Sequence, residues 1–220
     1  QLGAIIAVVA LFWNQLWPFS TKEKHWVKQD VLAMWLKIAV ACIPVVVVEL
    51  LIGDYIEDWF YNEWVIAGAL IIFGIAFIVV ENRNAKLHPK MNSIADITYQ
   101  AALIIGMFQV IAAVFPGTSR SGATILGALM IGVARSAAAE FTFYLAVPVM
   151  FGAGLLKILE FGSSFTTIEI SILMMGTSIS LLVSMIVIQF FMGYIKKHDF
   201  KIFGWYRIIL GLVVLTIFSL

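Results

Sequence analysis

Residues 115–124 read FPGTSRSGAT, a passage that sets Arg120 among four hydroxyls and two glycines. The flanks are apolar: ALIIGMFQVIAAV leads in and ILGALMIGVA leads out. A guanidinium keeps its charge at any physiological pH, and its planar fork matches phosphate oxygens. Thr118, Ser119, Ser121 and Thr124 add short hydroxyl donors, while Gly117 and Gly122 leave room for close approach. If a helix starts here, its free N–H groups and dipole also favour an anion. The predicted chemistry is phosphate binding, and the apolar flanks imply a phosphate hung from a lipid. A plainer alternative is an arginine that snorkels to headgroups or pairs with a carboxylate such as Glu140.

Two familiar phosphate patterns do not apply. GTSRSGAT fits G-x-x-x-x-G-x-T, but Ala123 stands where a P-loop needs lysine, and no strand precedes it. The type-2 phosphatidic-acid phosphatase pattern asks for a histidine where this chain has Leu126.

The elements that position this passage follow from composition. The chain has 220 residues, 62% hydrophobic and 12% charged, with a mean hydropathy of +1.02. Soluble domains carry about twice that share of charge. Several stretches reach the roughly 20 apolar residues that a spanning helix needs, and Ile170–Ile195 has no charge at all. The class expected is an all-α polytopic membrane protein forming a single domain over 1–220. A net charge of +1 leaves no footprint for nucleic acid, and the lone Cys42 allows neither an internal disulfide nor a cysteine metal site. The chain opens on Gln1 directly into an apolar run, which predicts that its natural beginning lies further upstream.

Six apolar segments predict about six transmembrane helices: Leu2–Trp17, Val31–Gly53, Trp64–Val80, Phe141–Leu159, Ile170–Ile195 and Ile202–Leu220. Lys22, Lys24 and Lys28 share one loop, Arg83, Lys86 and Lys90 another, and Lys196, Lys197 and Lys201 a third. The turns Asp54–Glu63 and Glu160–Glu169 hold no Lys or Arg. Basic loops mark the cytoplasmic side, so Ile97–Ala134 must begin and end there. It is therefore predicted to be a re-entrant helical hairpin. Pro116 disfavours helix at Phe115, Gly117 permits the turn, and Ser119 or Ser121 caps a second helix. Such a break is tolerated at membrane depth only where it faces protein or water. The pairs Ala123/Gly127 and Ala128/Gly132 suit close helix packing. Gln109, about two turns before Gly117, can reach the site or bond a neighbouring helix. Trp13, Trp17, Trp26, Trp59 and Trp64 sit where interface anchors belong.

PGTSRSGAT resembles the P-G-x-S-R-S-x-x-T signature of the undecaprenyl-pyrophosphate phosphatases, the bacitracin-resistance family. RSAAAEFTFYLAVP, Phe108–Gln109 and the opening QLGAIIAVV are similar to that family as well. The resemblance implies two inverted repeats, each giving a re-entrant hairpin to one site that opens to the outer face of the bacterial plasma membrane. It implies hydrolysis of undecaprenyl pyrophosphate to the monophosphate, which recycles the lipid carrier of peptidoglycan synthesis. Arg120 would clamp the phosphate, with Ser119 and Thr124 bonding its oxygens and Gly117, Thr118, Ser121, Gly122 and Gln109 lining it. A divalent cation, Mg²⁺ or Ca²⁺, is implied by the resemblance alone, with its ligands unknown; a homodimer is left open.

The family's first half-site, an E-x-x-x-E pair and a P-V-S-S-T-G-H motif, does not occur here. Hydrolysis needs a nucleophile or general base beside the clamp. His25, His88 and His198 all lie in basic loops, and Glu49 and Glu81 end spans and are expected to face an interface. Glu140 is expected to pair with Arg135 or a helix end. The 220 residues are thus expected to hold one half of a phosphatase site, in an inverted-repeat architecture partly missing at its N-terminus, and to be inactive alone. The runner-up is a transporter or flippase for a phosphorylated lipid or anion, because broken helices aimed at an anion serve there too.

Overall fold

Backbone groups cannot stay unpaired in hydrocarbon, so long apolar runs fold as helices. The computed structural model describes residues 1–19, 26, 28–161 and 166–219. Among these the elements are α1 (Leu2–Leu11), α2 (Trp13–Leu16), α3 (Gln29–Phe60), α4 (Glu63–Asn84), α5 (Tyr99–Val114), α6 (Arg120–Met130), α7 (Arg135–Phe161), α8 (Thr167–Ile195) and α9 (Lys201–Ser219). Five helices are long and apolar enough to cross a membrane: Gln29–Gly53 within α3, α4, Arg135–Lys157 within α7, α8 and α9. Leu182, Ile186 and Phe190 of α8 are 63%, 70% and 73% exposed, a surface suited to acyl chains and not to water. The chain is an all-α, multi-pass membrane protein.

Two expectations change. Leu2–Trp17 is not one continuous helix: α1 stops at Leu11, and α2 holds four residues after the break at Phe12. Five spans, rather than about six, are long enough among the described residues. The Asp54–Glu63 turn is also shorter than expected, because α3 continues to Phe60. No proline follows Gly53 in α3, and an isolated glycine costs a helix only ~1 kcal/mol. Asn62 then caps α4, its side chain accepting from the Val65 N–H at 3.0 Å. Lys22, Lys24 and His25 of the first basic loop, and 162–165 of the Glu160–Glu169 turn, lie outside the described residues.

The helices form two units. One comprises Gln1–Ala33 and Phe143–Tyr194. Its α1 packs on α8 through Gly3, where a Cβ would press on the Thr177 carbonyl oxygen and stand 2.7 Å from the Leu181 nitrogen. Phe12 meets the ring of Tyr144 edge-on at 5.2 Å, and Trp13 stacks on Trp17 at 4.5 Å.

The other unit comprises Met34–Thr142 and Ile195–Leu220. Its α4 and α9 approach closely because Gly74 and Gly204 face each other: a Cβ on either would stand 2.7 Å from the other's carbonyl oxygen. Gly211, two turns beyond Gly204, meets the Ala67 carbonyl in the same way. Near the far end of α4, fully buried Glu81 accepts from Arg135 Nε at 3.0 Å and Nη2 at 2.5 Å. It also accepts from the Phe200 N–H at 3.0 Å. This corrects two expectations: Glu81 is buried instead of facing an interface, and Arg135 pairs with Glu81 instead of Glu140. The cause is tertiary, since the start of α7 lies against the last turns of α4.

Helices α5 and α6 also belong to this unit, packed through Gly127 on the ring of Phe108. The segment before α5 and the segment after α6 are bonded to each other. Lys90 N–H donates to the Gly132 carbonyl at 2.8 Å, and Ala134 N–H donates to the Met91 carbonyl at 2.8 Å.

Candidate phosphate-binding loop

The turn between α5 and α6 follows from its own residues. Phe115 is extended (φ −107°, ψ 103°) and ends α5, as a residue before proline should. Gly117 has φ +90°, and a Cβ there would stand 2.6 Å from the Ile66 carbonyl oxygen. Both conformation and space therefore demand glycine. Ser119 is the one non-glycine residue with positive φ (65°) among the described residues, a strain of ~1–3 kcal/mol that concentrates at functional sites. Its hydroxyl accepts from the Gly122 N–H at 3.3 Å and so caps α6. Of the two serines that could cap, the structure uses Ser119.

Arg120 is the first residue of α6, at the tip of a broken helix. Its side chain is about half exposed, and among the described residues its carboxylate partner is Glu49 of α3, 3.7 Å away. Glu140 is not that partner. Ser119 and Ser121 are exposed beside it, their hydroxyl oxygens 3.3 Å apart. The loop thus presents a guanidinium and two hydroxyls over a helix N-terminus.

The other expected residues are placed differently. Thr124 is buried, and its hydroxyl lies 3.1 Å from the Arg120 carbonyl, 3.0 Å from the Ser121 carbonyl and 3.1 Å from the Thr142 hydroxyl. Those contacts tie the first turn of α6 to α7. Thr118 is fully buried, and Gln109 is buried on α5. Thr118 Oγ1 and Gln109 Oε1 have no hydrogen-bond partner among the described residues.

A second cation arrives from α9. Arg207 Nη1 donates to the Thr118 carbonyl at 2.5 Å. Its guanidinium carbon lies 5.9 Å from the centre of the Phe77 ring, within cation–π range. A Cβ on Gly122 would stand 2.8 Å from Arg207 Nη2, so this glycine admits the arginine. Arg207 has no carboxylate partner among the described ion pairs. It stands three residues after Gly204 and four before Gly211, on the stripe that faces α4. Reading Ile202–Leu220 as a plain apolar span overlooks it. The available signal was an arginine inside that span, a costly placement that points to function. Glu49 likewise enters only through packing.

The divalent cation implied by the resemblance would need several oxygen ligands. Among the described residues no three His, Cys, Asp or Glu side chains cluster, and Glu49 at the loop is engaged with Arg120. The described residues do not by themselves supply a site for the ion.

Comparison with known proteins agrees with the loop. Residues 1–213 match the family described as "Bacitracin resistance protein BacA". The chain is similar to the undecaprenyl-diphosphatase of Desulfitobacterium hafniense, 58% identical over 219 residues that cover 100% of this chain and 79% of the relative. It is 56% identical to undecaprenyl-diphosphatase 1 of Clostridium acetobutylicum, covering 99% of this chain and 80% of the relative. It is 53% identical to an undecaprenyl-diphosphatase of Enterococcus faecalis, covering 99% and 79%. A match across nearly every residue, on a chain whose helix tip carries the arginine signature, has one consequence: this protein belongs to the BacA bacitracin-resistance family.

Proposed function

We propose that this protein hydrolyses undecaprenyl pyrophosphate to undecaprenyl phosphate and inorganic phosphate at the N-terminus of α6. The substrate is supported by the names of the relatives. One observation carries the chemistry: Arg120 and Arg207 converge on one helix tip kept open by Gly117 and Gly122.

In this reading α5 and α6 form a re-entrant hairpin that enters and leaves at the cytoplasmic side. The bonds from Lys90 and Ala134 across Gly132 and Met91 support it, because they hold both ends of the hairpin together. Helix α5, at 16 residues, carries the tip roughly 24 Å along its axis, and the site opens to the outer face.

Water adds to the terminal phosphorus while the bond to the bridging oxygen breaks, and negative charge grows on the phosphoryl oxygens and the leaving monophosphate. Arg120 and the hydroxyls of Ser119 and Ser121 meet the phosphoryl oxygens. Arg207 holds the loop in place through the Thr118 carbonyl and adds positive charge beneath it. Thr124 positions Arg120 by fixing the first turn of α6. Preorganised charge of this kind is the main contribution a protein makes to phosphoryl transfer.

The test is phosphate release from a polyprenyl pyrophosphate by protein expressed from its complete gene. Arg120→Ala should lower kcat/KM by ~100-fold or more, since a lost transition-state charge partner costs ~3 kcal/mol. Activity retained within tenfold would end the assignment.

A further inference from the structure

A cavity of about 650 Å³ lies at the other end of α6 from the phosphate loop. It is walled by the last turn of α4, the segment after it, residues 129–136 and the Ile195–Lys196 pair. Arg120 and Arg207 are not in its lining, and α6 separates it from the loop by roughly 15 Å of helix. The span ends Asn84, Arg135 and Ile195 all border it, which places it at the edge of the hydrocarbon layer.

Its lining is one-sided in charge. Arg83, Lys90, Arg135 and Lys196 line it, and no aspartate or glutamate does. Arg135 is neutralised by Glu81 behind the wall, and Glu140, a turn into α7, offsets part of Lys196. Arg83 and Lys90 have no carboxylate within ion-pair distance among the described residues. The Ser136 hydroxyl is a further donor on the wall. The positive-inside bias explains basic residues in these loops, but it does not require them to converge on a hollow. Lys86, Lys197 and Lys201 belong to the same loops and stay outside it. Basic hollows at the ends of transmembrane helices suit anionic headgroups.

We propose that this cavity binds an anionic phosphate group, carried by a phospholipid headgroup or free as a soluble phosphate. It is a second anion site, separate from the loop at Arg120. Arg83 and Lys90 supply its main attraction, with Lys196 closing the opposite wall.

The test uses protein from the complete gene carrying Arg120→Ala, so that the phosphate loop does not compete. Retention of phosphatidylglycerol against phosphatidylcholine is read by native mass spectrometry, and binding of inorganic phosphate by equilibrium dialysis. Both are repeated with Lys90→Gln/Lys196→Gln and with the control Lys86→Gln/Lys197→Gln. All four lysines are exposed, so neither pair threatens the fold. We expect at least tenfold loss of anion binding in the cavity pair and less than threefold in the control. Loss confined to phosphatidylglycerol assigns a lipid; loss of saturable inorganic phosphate binding assigns a soluble anion. Equal loss in both variant pairs, or no binding of either probe by the parent, overturns the proposal.

Discussion

Arg207 and Thr118 stand 89 residues apart in the chain, and a 2.5 Å hydrogen bond joins them. A guanidinium from the last helix thereby grips the backbone of the loop that presents Arg120. Glycine makes the approach feasible at both ends: Gly74 and Gly204 let α9 close on α4, and Gly122 leaves room for the fork.

Arg207 should matter for its shape as well as its charge. Lysine keeps the charge but loses the planar fork that bonds Thr118 and lies over Phe77. Arg207→Lys is expected to lower kcat/KM for polyprenyl pyrophosphate ~10-fold or more, and Arg207→Ala further. Phosphate-release kinetics on both variants check this, with retained size-exclusion behaviour as the folding control.

The two loop glycines should fail in different ways. In Gly117→Ala the new Cβ meets the Ile66 backbone oxygen at 2.6 Å with φ at +90°, so both clash and strain act on backbone. A loss of ~2–4 kcal/mol is expected, seen as a lowered thermal midpoint in detergent. In Gly122→Ala the Cβ meets the end of the Arg207 side chain at 2.8 Å, which can swing away. Activity should then fall while the thermal midpoint stays within a few degrees.

The Arg135–Glu81 pair should respond asymmetrically. Glu81 is fully buried, whereas the Arg135 side chain is 37% exposed. Arg135→Ala strands a buried carboxylate and should cost ~3 kcal/mol. Glu81→Gln keeps an acceptor for the Phe200 N–H and leaves an arginine that can turn to water, so ~1–2 kcal/mol is expected. Thermal denaturation of both variants in one detergent decides the order.

Asp96 ties down the segment before α5. Its carboxylate accepts from the Ser93 hydroxyl at 3.0 Å, the Ser93 N–H at 2.9 Å and the Asn92 N–H at 3.0 Å. These bonds, the hydroxyl first, hold its pKa below the ordinary carboxylate value. A lowered folded-state pKa means the contribution is complete above the unfolded value of ~4 and is lost as pH falls through the folded one. Amide exchange at Asn92 and Ser93 should therefore keep its protection down to about pH 4 and lose it on further acidification. In Asp96→Asn that protection should be weaker and independent of pH over this range.

Much of this protein was legible along the chain because the causes are local. Hydropathy specified the long helices, since backbone in hydrocarbon has few other ways to pair. Pro116 and Gly117 specified the break, and a serine at 119 or 121 the cap, because φ, a missing N–H and a hydroxyl act within a few residues; the choice of Ser119 came from the structure. Arg120 announced itself by its setting. Partnerships were not legible. That Glu81 would meet Arg135, 54 residues away, and the Phe200 N–H, 119 away, depends on which helix faces which. So does the arrival of Glu49 and Arg207 at the loop, and the turning inward of the Thr124 hydroxyl. Small residues let helices approach at many places, and only their joint packing selects which polar groups end up within 3 Å.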